Sequence, residues 1–208
     1  MISIIVPTLN EEKYVGYCLS SIRRWGKGEY EIIVVDSNSQ DKTVEIAKKY
    51  ADKVIITKER GVGRARNIGS RVASGEILAF VDADTRIGKD WFSAIQRALD
   101  RKDVVGVTGP VEADGNVLER ALSAAGCNLG IRVLISIGIP YVLGLNCAYK
   151  RWVFERVGGF REDVKISEDV LFAKAAIKYG KIVFSPKMKV VTSARRIRKE
   201  GIVRSVFY

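Results

Sequence analysis

The segment Ile77-Leu78-Ala79-Phe80-Val81-Asp82-Ala83-Asp84 sets a continuous apolar run directly against two carboxylates. Such a run, bounded by polar residues, reads as a strand buried on both faces. Side chains one residue apart on an extended chain point to opposite faces. Asp82 and Asp84, with Ala83 between them, would therefore share one face of a continuing strand, and they stand where the strand breaks and both are free to converge on one ion. Their hard oxygens suit Mg²⁺ or Mn²⁺ bridging the phosphates of a nucleotide. The alternative is a solvated turn in which Asp84 caps whatever follows.

Outward from this segment the same pattern recurs. Ser3–Pro7, Glu31–Val35 and Lys53–Thr57 are rich in Ile and Val and lack polar alternation, as Glu76–Val81 does. Between them lie helical patterns. Tyr14, Cys18 and Ile22 share a face, Asp41 is placed to cap a second helix running to about Tyr50, and Gly75 stands where a third should stop. Strand and helix alternating through short links predict right-handed crossovers and a mostly parallel sheet in a three-layer α/β/α sandwich. Its Rossmann-like half spans residues 1–100, and ligands belong at the carboxyl ends of its strands. The pattern continues with a helix over Trp91–Arg101 and a strand over Val104–Gly109. Further on, a helix over Glu168–Tyr179 with Ser167 as its cap precedes strands near Ile182–Phe184 and Val190–Thr192.

Between Arg120 and Lys150 the only charged residue is Arg132, while Gly126, Gly130, Gly138, Pro140 and Gly144 make the stretch a poor spanning helix. It reads as a buried helix followed by a strand over Tyr141–Tyr149, or as an amphipathic face resting on a membrane or cradling a lipid acceptor. One domain of 208 residues accommodates all of this.

Lys and Arg number 35 against 24 Asp and Glu, a net charge of +11, and beyond Lys181 the basic residues are opposed only by Glu200. Such an excess favours anionic partners: nucleotide phosphates, nucleic acid or an anionic membrane. With no recognisable nucleic-acid-binding module, nucleic acid is not the expected one. The absence of histidine excludes imidazole-bound zinc and every Ser-His or Cys-His mechanism, so proton transfer falls to a carboxylate, Lys, Tyr, Cys or water. Cys18, Cys127 and Cys147 are widely spaced and read as reduced, buried thiols. A strand opening at the amino terminus implies no signal peptide and a cytoplasmic protein, at most peripheral on the cytoplasmic face of the membrane.

Four successive strands end in polar turns: Pro7-Thr8-Leu9-Asn10-Glu11-Glu12, then Asp36-Ser37-Asn38-Ser39-Gln40-Asp41, Gly61-Val62-Gly63-Arg64-Ala65-Arg66-Asn67, and Asp82-Ala83-Asp84. At one sheet edge they would supply acceptors for a base and ribose, a basic loop for a diphosphate, and an ion site. With Gly158-Gly159-Phe160 and Glu168-Asp169, this ordered set resembles the inverting glycosyltransferases of family 2, over roughly Ile2 to Arg196. The resemblance implies a GT-A fold, a nucleotide-sugar donor and a Mn²⁺ or Mg²⁺ ion at Asp82 and Asp84. It implies donor contacts at Pro7, Thr8, Glu11, Asp36 and Arg66. A carbohydrate or polyprenyl-phosphate-type acceptor would meet Asn146, Phe160 and Glu168 in an acceptor half over 101–192. Arg64, and Arg195 and Arg196 in a basic tail over 193–208, are further candidates for the diphosphate. Asp169, matching the second acid of the family's Glu-Asp motif, becomes the catalytic base; with a phosphate acceptor no base is needed.

Ser193-Ala194-Arg195-Arg196 stands where processive relatives carry Gln-x-x-Arg-Trp, which argues for a non-processive enzyme. Two rivals remain. A sugar-1-phosphate nucleotidyltransferase would carry its Gly- and Arg-rich loop after strand one, where Asn10-Glu11-Glu12 stands. A non-catalytic membrane-surface binding module would rely on Ala121–Tyr149 and the basic tail.

Overall fold

The computed structural model describes residues 1–116, 128–164 and 167–195. Among these, seven strands form a sheet in the order β3-β2-β1-β4-β8-β6-β9. They are β1 (Ile2–Thr8), β2 (Tyr30–Asp36), β3 (Lys53–Ile56), β4 (Ile77–Val81), β6 (Val104–Thr108), β8 (Asn146–Lys150) and β9 (Lys181–Phe184). Only β8 runs antiparallel to its neighbours. A smaller sheet, β5 (Thr85–Ile87), β10 (Val190–Ser193) and β7 (Val111–Asp114), stands beside it.

The continuous apolar strands divide their residues between two cores, as period-two geometry requires. On β4, Ala79 and Val81 pack with α1 (Val15–Trp25), α2 (Thr43–Ala47) and α4 (Trp91–Leu99). Leu78 and Phe80 face the opposite core, with α3 (Val62–Val72), α6 (Arg151–Val157) and α7 (Glu168–Ala176). There Phe80, Phe154, Phe160 and Phe172 form an aromatic cluster with ring centroids 5.0–5.6 Å apart. Helix α3 lies close on the sheet because Gly69 has no side chain; a Cβ there would come 2.6 Å from Ile5 Cγ2. The expected three-layer α/β/α sandwich is the observed architecture.

Several boundaries differ from the sequence reading. The second helix ends at Ala47, and residues to Tyr50 continue as tighter turns, with Tyr50 N–H donating to Ala47 O at 3.0 Å. The strand expected from Tyr141 begins at Asn146, whose N–H closes a turn onto Leu143 O at 3.0 Å. Ser167 precedes α7 in the left-handed region (φ 65°) and donates no side-chain cap. The helix α5 (Leu129–Ser136) covers the charge-poor stretch in part, and residues 117–127, with Cys127, lie outside the described residues. Cys18 and Cys147 are buried free thiols, as expected.

At the amino edge of the sheet Glu31 gathers four segments. It accepts from Ser3 Oγ (2.6 Å) and Ser74 N–H (2.5 Å) and pairs with Lys53 Nζ (2.8 Å). Burial would raise its carboxyl, but these partners prevail and hold it at about 2 against an ordinary 4.5. A carboxylate depressed in this way stabilises the fold above its ordinary value and loses that contribution as pH falls towards 2. Glu31→Gln is expected to melt below the wild type at pH 7, with the gap closing progressively below about pH 4.5 in thermal melts.

Candidate active site

Parallel pairing sets the carboxyl ends of β1 and β2 side by side, with Thr8 opposite Asp36, and antiparallel pairing sets the start of β8 beside the end of β4, with Asn146 opposite Val81. The acids then separate because the chain leaves β4 after Val81. Asp82 follows the facing of Leu78 and Phe80 and meets α3 and α7. Arg66, on α3 and only 3% exposed, donates to Asp82 Oδ1 and to Glu168 Oε1, both at 2.8 Å. Burial pushes the Glu168 carboxyl up while Arg66 pulls it down. Next on the same helix, Asp169 accepts the Gly144 N–H at 2.6 Å on Oδ2 and the Val170 N–H at 2.8 Å on Oδ1. Asp82 and the Glu168-Asp169 pair, 86 to 87 residues apart in the chain, thus share one guanidinium and its surroundings.

Asp84 turns to the other side. Its Oδ2 is 3.0 Å from Arg195 Nε, and its Oδ1 accepts from Thr192 Oγ1 at 3.3 Å. The same Arg195 grips Glu11 through both terminal nitrogens, at 2.7 and 2.5 Å, with its guanidinium 4.8 Å from the Tyr14 ring centroid. Burial, then the nearby Asp82 and Glu11 charges, push the Asp84 carboxyl up to about 6 despite Arg195. Beneath them Cys18 Sγ donates to Asp82 O at 3.4 Å, and burial and the two aspartates hold its thiol protonated.

The remaining expected site residues fall less simply. Asp36 is fully buried and spends both oxygens on its own turn, accepting from Thr8 Oγ1 (2.8 Å), Ser39 N–H (2.7 Å) and Ser39 Oγ (2.5 Å). It organises the edge in this structure, with Pro7 half-buried beside Thr8. Asn146 does not face a ligand: it accepts from Trp91 Nε1 (2.9 Å) and donates to Met188 O (2.8 Å) within the core. Phe160 is likewise buried, as part of the aromatic cluster and 5.6 Å from the Arg66 guanidinium. Glu168 is taken up by Arg66, and Arg64 is paired with Glu162 (2.9 Å) and Glu59 (3.3 Å), turned from the acids. Arg66 itself is a buried bridge with no free fork for a phosphate. Arg196 lies outside the described residues. Two concavities, of about 480 and 450 Å³, are lined by such residues as Arg71, Phe154, Phe160 and Glu162, and by Glu76, Lys150 and Trp152.

Thr192, Thr85, Tyr14 and Gly144 were not legible as site residues. Thr192 is brought to Asp84 by β10 pairing with β5, a non-local pairing that leaves no local signal.

The glycosyl transferase family 2 model matches residues 3–158, well over half of the sequence. The chain belongs to glycosyl transferase family 2. Its relatives include the poly(ribitol-phosphate) β-N-acetylglucosaminyltransferase TarS of Staphylococcus aureus, 31% identical over 84% of this chain and 32% of TarS. The chain therefore spans about a third of that relative. The structure of TarS residues 1–349 with UDP superposes with a TM-score of 0.78 at 26% identity, over 92% of this chain and 60% of that one. A mannosyltransferase of Pyrobaculum calidifontis in complex with GDP-Man and Mn²⁺ gives 0.75 at 26% identity, over 95% and 60%. The fold of this family 2 chain is accordingly GT-A.

The acids fit a divalent cation in one respect: Asp84 and Glu11 share the single guanidinium of Arg195, with the charge of Asp82, paired to Arg66, nearby. Among the described residues no three acidic, Cys or His side chains converge closely enough to enclose an ion. Phosphate and water oxygens would complete such a site, as is usual for Mg²⁺ and Mn²⁺. Because a cation needs Asp84 ionised and its proton is retained up to about 6, Mn²⁺-assisted nucleotide binding is expected to weaken as pH falls through about 6. Titrations at several pH values would check this; affinity flat from pH 7 to 5 would remove Asp84 from the ion site.

Proposed function

We propose that this chain is an inverting, non-processive, metal-dependent glycosyltransferase. It would move a sugar from a UDP- or GDP-sugar to a carbohydrate or polyprenyl-phosphate-type acceptor. The observation that carries the reading is the approach of Asp82 and the Glu168-Asp169 pair through Arg66, with Asp84 beside them. Support comes also from the mannosyltransferase of similar fold in complex with GDP-Man and Mn²⁺.

Asp84 and Asp82 would hold the Mn²⁺ or Mg²⁺ ion, which when bound supplies Lewis-acid stabilisation of charge on the leaving diphosphate. Asp169 takes the proton of the acceptor hydroxyl as its oxygen bonds the anomeric carbon. The bond from that carbon to the diphosphate oxygen breaks on the opposite side, and its electron pair leaves with the nucleoside diphosphate. Arg195, released from Asp84 and Glu11, adds positive charge at the diphosphate.

Calorimetry with UDP, GDP and dTDP, each with and without Mn²⁺, tests the donor reading. One nucleotide is expected to bind more tightly with Mn²⁺, and Asp84→Ala to remove that gain without lowering the melting temperature. Binding by none of them overturns it. Asp169→Asn is expected to spare nucleotide binding and cut transfer to a hydroxyl acceptor by roughly 10²–10⁴-fold; a near-normal rate takes the base away from Asp169.

Peripheral contact with an anionic membrane is supported by α5. Leu129, Val133 and Ile137 lie at helical spacing, 62, 49 and 65% exposed, and Ile139 follows at 45%. Arg132 is exposed within this face, the chain carries +11, and no described helix is long and apolar enough to cross a membrane. Four side chains fall far short of the roughly 20–30 residues a side of a stable protein interface, whereas an apolar face with basic residues suits an anionic lipid surface. The chain is expected to sediment with vesicles containing anionic phospholipid, less with neutral ones, and to stay in solution with both as Leu129→Ser/Val133→Ser/Ile137→Ser. Absence of sedimentation in the wild type ends this reading.

A further inference from the structure

We infer that Gly144 is a positioning residue for Asp169, and that Arg66 is the reason this position carries glycine. The inference rests on the proposed role of Asp169 as base. Gly144 lies outside the left-handed region, so its backbone angles do not demand glycine. Proximity does. A Cβ on Gly144 would collide with Arg66 Nη1 and lie 2.7 Å from Cζ and 2.8 Å from Nη2.

The far end of an arginine ordinarily yields to such an intrusion. Here it is clamped: Nη1 and Nη2 each hold a carboxylate at 2.8 Å, and the side chain is buried against Phe160. The backbone after Gly144 is equally fixed, because Asn146 is bonded to Trp91 and Met188 two residues on. A side chain at position 144 must therefore displace its own peptide, which is the group donating its N–H to Asp169 Oδ2 at 2.6 Å. That bond and the one from Val170 fix the plane of the carboxylate and leave each oxygen a lone pair for an incoming hydroxyl. Glu168 and Asp169, neighbours on one turn, thus grip the two sides of the Arg66–Gly144 contact. Asp82, Arg66, Gly144 and Asp169 form an unbroken path from the donor acids to the base.

The test reads nucleoside diphosphate release from UDP-GlcNAc and GDP-mannose with Mn²⁺, water serving as acceptor, in four chains: wild type, Gly144→Ala, Asp169→Asn and the double variant. Gly144→Ala is expected to lower kcat at least tenfold with the donor KM and calorimetric UDP or GDP affinity unchanged, and to add less than a twofold loss in the Asp169→Asn background. A merely structural role would lower the rate by the same factor in both backgrounds, and that result overturns the inference, as does a normal rate in Gly144→Ala. No turnover by the wild type, or full turnover by Asp169→Asn, would instead remove the function on which it rests. If Gly144→Ala gives no cooperative melt, Arg66→Lys/Gly144→Ala, which lacks the guanidinium fork, is expected to fold; failure of that chain where Arg66→Lys alone folds shows that Arg66 is not what excludes a side chain, and the inference falls.

Discussion

Burying a guanidinium is costly unless charge and hydrogen bonds compensate it, and Arg66 is compensated by two acids from distant parts of the chain. Asp82 comes from the end of β4, Glu168 from the first turn of α7, and Arg66 itself from α3. Removing either carboxylate would leave buried positive charge partly unpaired, a loss that runs to about 3–5 kcal/mol where it has been isolated. The site's geometry follows from that requirement. Held by Arg66, α7 is docked in the register that puts Asp169 against the Gly144 peptide. Asp82 and the Glu168-Asp169 pair are therefore parts of one electrostatic unit. Arg66 Nε remains without a partner, so the compensation is carried by the two terminal nitrogens.

Asp84 is governed by the opposite imbalance. Three acids approach one another and a single arginine, Arg195, answers both Glu11 and Asp84. Burial, then the Asp82 and Glu11 charges, raise the proton affinity of Asp84 beyond what Arg195 offsets. A site of this kind favours an added cation, and the arginine it now holds is the group a diphosphate would draw away. The small β5-β10-β7 sheet exists at this point in the fold to bring Thr192 and Arg195 over the strand ends.

The division between the two aspartates is a consequence of the break after Val81, where β4 ends. Asp82 inherits the α3 and α7 face from Phe80, and Asp84 lies beyond the break, among groups from β1 and β10. The chain leaving the strand thus delivers one acid to Arg66 and the other to Arg195. Asn146 and Phe160 show the converse. Both sit at the same edge, yet their polar and aromatic groups are consumed in holding Trp91, Met188 and the aromatic cluster, which makes them supports of the site.

Much of the fold was legible because it rests on local patterns. Apolar runs in β1, β2 and β4 and helical spacing in α1 and α4 identify buried strands and packed helices whatever their neighbours. The strand ends carrying Thr8, Asp36, Asp82 and Asp84 follow from the same pattern, and the missing histidines limit the chemistry outright. The tertiary structure alone decided which partner each charged group received. Arg66 meets Glu168 across 102 residues, Thr192 meets Asp84 across 108, and Arg195 meets Glu11 across 184. Periodicity tells which way a side chain faces, but an ion pair depends on what another part of the chain brings within about 3 Å. The short strands β5 and β7, and the Gly144 turn read as strand, were illegible for the same reason: their conformations are fixed by bonds to distant segments, not by propensities of their own.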